Sequence, residues 1–174
     1  MNTAYLLAVL SGGLVAGALD IVFAISFAAY NGTPPLRLLQ IVASGLYGDA
    51  AFAGGASMAA LGLGLHFGMS VLWAGVFLAL AWLKPAIAHY PYLSGIAFGV
   101  VVFVVMRLVI LPLSAFPYPV TFKPLATTLD LLSHTLLFGV PIALAIRKAV
   151  VGASTLPRGH PVSRNQPSRV RRQD

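Results

Sequence analysis

Four stretches of this chain are each long and apolar enough to cross a lipid bilayer, and no other feature restricts its fold so strongly. They cover about residues 5–29, 57–83, 92–115 and 122–149. Inside hydrocarbon every backbone N–H and C=O must find a partner within the protein, so runs of this length predict helices. The expected fold is therefore all-α, an integral membrane bundle of four transmembrane helices over residues 1–150, followed by a disordered basic tail over 151–174. Composition agrees, since 59% of the 174 residues are apolar and 9% charged, which leaves little chain for a soluble catalytic domain. The absence of cysteine excludes disulfides, thiolate metal sites and palmitoylation. No nucleophile elbow, phosphate loop or His-Glu zinc motif is present, and the chain reads as a non-enzyme.

The spans are separated by clear punctuation. "NGTPP" at 31–35, "KPAIAHYPY" at 84–92 and "FPYPV" at 116–120 combine Pro, Gly and aromatic residues, as turns at a membrane surface do. Residues 36–49 are ambiguous. Leu36, Leu39, Ile41, Val42 and Leu46 would line one side of an interfacial or re-entrant helix, or else the segment lengthens the second span. "VAGA" before Leu19 resembles a signal-peptidase site, but no basic region precedes it and the apolar run continues, so it is expected to be retained as a first helix.

Arg147, Lys148, Arg158, Arg164, Arg169, Arg171 and Arg172 all follow the fourth span, and Lys84 lies in the second loop. By the positive-inside rule both regions face the cytoplasm, with the N-terminus on the same side. The tail cannot bury an apolar face, and its arginines are expected to meet anionic lipid headgroups. Interleaved aromatics that would suit nucleic acid are missing, so no nucleic-acid partner is expected.

Against this apolar background the ionisable residues stand out. Asp20, His66, Arg107, Asp130 and His134 all fall within the spans, at roughly 12 to 18 Å from their outer ends at about 1.5 Å per residue. A charge at such depth costs at least about 2.5–3.5 kcal/mol, so these groups should turn inward and pair. Arg107 is expected to pair with Asp20 and Asp130, leaving one carboxylate in excess with His134 close by. Two readings follow: a pair that fixes helix register, or a proton- or ion-linked site in the outer half of the bilayer. Pro112 and Pro141 free the carbonyls of Leu108 and Leu137 beside the same layer.

Small residues indicate where helices touch. Gly13 and Gly17 share a face with Asp20, Gly95 and Gly99 repeat the spacing in the third span, and Gly64 and Gly68 stack in the second. Such faces suit a bundle, a homodimer or a larger membrane complex. Gly13 and Gly17 can be aligned with Gly95 and Gly99, and His66 with His134, as a faint parallel repeat. Such a repeat would suit bis-histidine haem ligation, but attachment motifs are missing; His134, Asp130 and His66 offer nitrogen and oxygen ligands to a metal but form no tight cluster in sequence, so no cofactor or metal is expected.

The segments "GGLVAGALDIVFA", "ASGLYGDAAFAGGASMAALGLGLHF", "VMRLVILPLSA" and "LLFGVPIALAIRK" resemble a group of small, uncharacterised bacterial inner-membrane proteins with four spans. The resemblance covers about residues 12–148 and implies fold and location, with no reaction and no catalytic residues. The chain departs from that group at Arg107, where a neutral polar residue such as Asn is commoner, and in its Arg-rich tail. Two function classes remain, a small permease and a non-catalytic structural or accessory subunit of a larger complex.

Overall fold

The computed structural model describes residues 3–154. Arg158, Arg164, Arg169, Arg171 and Arg172, expected to meet lipid headgroups, lie outside the described residues, as does most of the expected tail. The described residues are mostly helical, with no strand among them, and four of the helices are long and apolar enough to cross a membrane. These are α1 (Thr3–Tyr30), α3 (Gly55–Leu83), α5 (Pro91–Leu113) and α6 (Pro124–Val151). Each begins and ends close to its sequence-based boundary, and helical geometry in α6 continues to Ser154, past the expected start of the tail.

The remaining helices are α2 (Pro35–Tyr47) and the short α4 (Ala86–His89). A 3₁₀ turn, Gly48–Phe52, separates α2 from α3, so residues 36–49 form a helix of their own instead of lengthening the second span. Gly48 permits the break: its φ of 55° suits glycine, and its N–H closes α2 onto the Ser44 carbonyl. The expected apolar side of α2 turns inward only in part, with Leu39, Ile41 and Val42 half-buried. Gln40, Ala43 and Ser44 are buried against the bundle, while Leu36 and Leu46 point outward. That placement makes physical sense in lipid, where large apolar side chains gain nothing by turning inward and polar ones need protein partners. Gln40 Nε2 donates to the Gly55 carbonyl at 3.0 Å.

The same placement governs the whole bundle. Leu7, Leu14, Val22, Leu72, Val101 and Leu108 are exposed, whereas Ala16, Ala74, Ala81 and Ala143 are buried, with Phe77, Phe98, Val102, Ile142 and Ile146 filling the centre. α1 packs mainly against α3 and α6, and α5 against α6. The crossings depend on glycine: a Cβ on Gly13 would lie 2.7 Å from Val71 Cα, and one on Gly17 2.7 Å from Ser70 Oγ. On α5, Gly95 and Gly99 abut the backbone of α6 at Val140 and at His134–Thr135.

Gly64 and Gly68 behave differently from the expectation. Both are exposed, and a Cβ on either would meet nothing within the chain. The packing glycine of α3 is Gly62, set against the Leu39 carbonyl of α2. The reason lies in the rest of α3: His66 and Ser70 require polar partners, so their face turns inward and the Gly64–Gly68 face turns out.

Both expected prolines distort their helices. Leu111, just before Pro112, bonds back five residues to Met106, and Val140, just before Pro141, bonds back five to Thr135. The resulting wide turns, Met106–Ile110 and Ser133–Gly139, relieve the clash of each proline ring with the carbonyl four residues earlier. Arg107 lies in the first and His134 in the second.

Candidate functional site

Helix geometry arranges the five ionisable residues on two levels. At about 1.5 Å per residue, Asp20 lies about 15 Å from the Tyr30 end of α1, His66 about 17 Å into α3 and His134 about 15 Å into α6. Arg107 and Asp130 are each about 9 Å from the corresponding ends of α5 and α6. In a hydrocarbon slab of about 30 Å the first three sit at mid-depth and the other two about one turn nearer the surface.

The shallower level is an ion pair. Arg107 Nη1 donates to Asp130 Oδ2 at 2.6 Å, and Nη2 donates to the Thr121 carbonyl at 2.6 Å. The guanidinium also lies 5.1 Å from the Phe122 ring centroid and 5.6 Å from that of Phe103. One arginine thus ties the loop before α6 to both α5 and α6. The expected second partner, Asp20, is not engaged: Arg107 lies on α5 closer to the surface than the sequence suggested, about one turn above Asp20.

His134 links the two levels. Its Nδ1 lies 2.9 Å from the Asp130 carbonyl and 3.1 Å from Asp130 Oδ1. Its ring stands edge-on to Phe103 and tilted against Phe138, at centroid distances of 5.8 and 6.0 Å. The Gly99 crossing brings α5 directly onto the His134 carbonyl, which holds this part of α6 in place.

The deeper level surrounds a cavity of about 60 Å³. All four spans line it: Asp20 from α1, His66, Ser70 and Trp73 from α3, Met106 from α5 and His134 from α6. Ser133 Oγ donates to Asp20 Oδ1 at 2.6 Å, and no Lys, Arg or His among the described residues is within ion-pair distance of that carboxyl group. His66 Nε2 bonds the Gly17 carbonyl at 2.8 Å, an approach that the missing Cβ of Gly17 permits. Ser70 Oγ donates to the His66 carbonyl at 2.8 Å. The indole N–H of Trp73 is buried without a hydrogen-bond partner.

All five ionisable residues are therefore brought together, although in two connected groups and not in one layer. Sequence reasoning singled out none of Ser70, Trp73 and Ser133 as site residues. The signal was present, because Ser133 lies three residues after Asp130 on the same stripe of α6. Arg147 and Lys148 are exposed at the far end of α6, where Lys148 borders a shallow groove lined by Leu7, Ala8 and Ala145. Among the described residues no three His, Asp or Glu side chains are grouped to hold a metal ion.

Compared with protein-family models, with curated proteins and with solved structures, the chain matches none.

Proposed function

We propose that this protein is a small proton- or ion-linked permease of a bacterial inner membrane, with the cavity between the four spans as its working site. One observation carries the reading: Asp20 borders a cavity among the four spans at mid-depth, and among the described residues no cation lies within ion-pair distance of it. A register-fixing device needs only the Arg107–Asp130 pair, which already satisfies both charges. A further carboxylate and two imidazoles at mid-depth exceed that need, and intramembrane ionisable groups of this kind serve ion and proton pathways. In this reading Asp20 and His134 exchange protons, His66 holds α1 and α3 at the cavity, and Arg107 with Asp130 forms the wall on the outer side.

The test is a pH jump applied to proteoliposomes on a solid-supported membrane. Wild-type protein should give a transient charge movement that Asp20→Asn removes while Gly64→Ala leaves it intact. Wild type and Asp20→Asn giving identical, flat traces would end the permease reading. The outward Gly64–Gly68 face favours a second reading, an accessory subunit whose α3 docks on a larger membrane complex. Reconstituted protein that shows no charge movement, together with co-purification of another membrane protein that is lost when Gly64 and Gly68 are replaced by Leu, would support it.

A further inference from the structure

We infer that the cavity takes up a proton carried on water, in preference to a metal cation, and that His134 Nε2 is the imidazole nitrogen that receives it. This deepens the permease reading and rests on it for its functional meaning, but its chemistry follows from the hydrogen bonds alone.

Carbonyl and carboxylate oxygens accept and cannot donate. Nδ1 of His134 faces two such oxygens, both on Asp130, so in the neutral ring Nδ1 carries the hydrogen and Nε2 keeps the lone pair. Nε2 of His66 faces only the Gly17 carbonyl, so that ring carries its hydrogen on Nε2 and leaves Nδ1 open. Asp20 has one oxygen engaged by Ser133 and its other oxygen free of any protein donor. The hydroxyl hydrogen of Ser70 is spent on the His66 carbonyl. Around one cavity the protein thus sets three acceptors on ionisable groups, His134 Nε2, His66 Nδ1 and an Asp20 oxygen, beside the lone pairs of the Ser70 hydroxyl, while the Trp73 N–H is buried out of reach of a water.

What completes that set is a small species rich in hydrogen-bond donors and bearing positive charge. About 60 Å³ is room for roughly two waters, each with a share of about 30 Å³ in the liquid. Sodium and the other hard cations prefer several oxygen ligands, and here two of the three acceptors are imidazole nitrogens. Imidazole suits transition metals, but the three groups are too far apart to ligate one ion together. A proton shared between two waters fits, because its outer O–H bonds can donate to separate acceptors that no single ion could reach together. On transfer, an O–H bond of this protonated pair breaks as an N–H bond forms at His134 Nε2, and neutral water remains. The charged groups facing His134 are Asp130 on its own helix, Asp20 from α1 and Arg107 from α5, the last already joined to Asp130.

The deciding experiment is ¹⁵N solid-state NMR on the full chain in lipid nanodiscs with labelled histidine, over about pH 4 to 9, assigned with His134→Gln and His66→Gln. At high pH, His134 should carry its hydrogen on Nδ1 and His66 on Nε2, and on acidification His134 Nε2 should gain a proton. Difference infrared spectra over the same range should contain a carboxyl band that is lost in Asp20→Asn and kept in Asp130→Asn. Ser133→Ala, which removes only a hydroxyl, should displace that band and guards against a folding defect in the charge variant. A neutral His134 protonated on Nε2, or histidine signals that respond to sodium at fixed pH, would overturn the inference. If the expected NMR and infrared results accompany flat traces in the pH-jump assay, the proton site stands and the permease reading falls.

Discussion

Arg107 and Asp130 meet in a part of the molecule where either charge alone would be costly, and this dependence can be measured. Removing one member leaves the other uncompensated, so Asp130→Asn alone should destabilise the protein by about 3 kcal/mol. Arg107→Asn with Asp130→Asn should cost less than the sum of the single changes, with a coupling of about 1–3 kcal/mol. Reversible unfolding in mixed micelles of the four proteins would read this out, and additive costs would mean that the pair contributes nothing. Much of this level was legible beforehand, since a membrane arginine demands a carboxylate and few were available. The pairing of Asp20 was not. Arg107's depth was reckoned from a span reaching residue 115, whereas α5 ends at Leu113; those two residues bring it about 3 Å nearer the surface and leave it roughly 6 Å, about one turn, above Asp20. Ser133, the actual partner of Asp20, is a short hydroxyl that carries no charge signal, so nothing in composition marks it out.

At the scale of helices, glycine spacing identified three of the four spans as close-packed but could not say which glycines touch. Gly95 and Gly99 lie against the backbone of α6, which cannot yield as a flexible side chain would. Gly95→Ala and Gly99→Ala should therefore each cost about 1–3 kcal/mol, and the latter should also disturb the His134 signals. Gly64→Ala and Gly68→Ala meet open space, and each should leave stability unchanged or raise it by up to about 1 kcal/mol, because Ala is the better helix former. Thermal unfolding of the four variants separates the sets, and equal losses in both would contradict the packing described. If Gly64→Ala instead lowers a measured dimer fraction, the outward face is an interface between copies. The face of α3 was open in the sequence because glycine periodicity and the His66–Ser70–Trp73 stripe compete. The polar stripe prevails because an unpaired imidazole facing lipid costs more than an exposed glycine. The prolines were easier to read, since a ring clash with the carbonyl four residues earlier is local and owes nothing to the rest of the fold.

Across the whole molecule, the two halves use the same packing rule. Gly17 of α1 meets α3 at the His66 ring, and Gly99 of α5 meets α6 at His134, so each histidine reaches the cavity beside a glycine crossing. Orientation decides which side of the membrane this cavity serves. Lys84, Arg147 and Lys148 lie at one end of the bundle and Arg37 and Lys123 at the other, a narrow margin that the tail arginines widen. On the positive-inside rule we propose that the Lys84 end faces the cytoplasm, which would make the Arg107–Asp130 wall the outer one. Because the chain contains no cysteine, single introduced thiols report this cleanly. In intact cells an impermeant maleimide should label Asn31→Cys and spare Lys84→Cys until the membrane is opened. Replacing the tail arginines by Gln should weaken that bias, so that a measurable fraction of Lys84→Cys becomes labelled from outside. Labelling of Lys84→Cys in cells with the tail intact would invert the bundle. The Arg107–Asp130 wall would then face the cytoplasm, and the cavity behind it would lie in the inner half of the route instead of the outer.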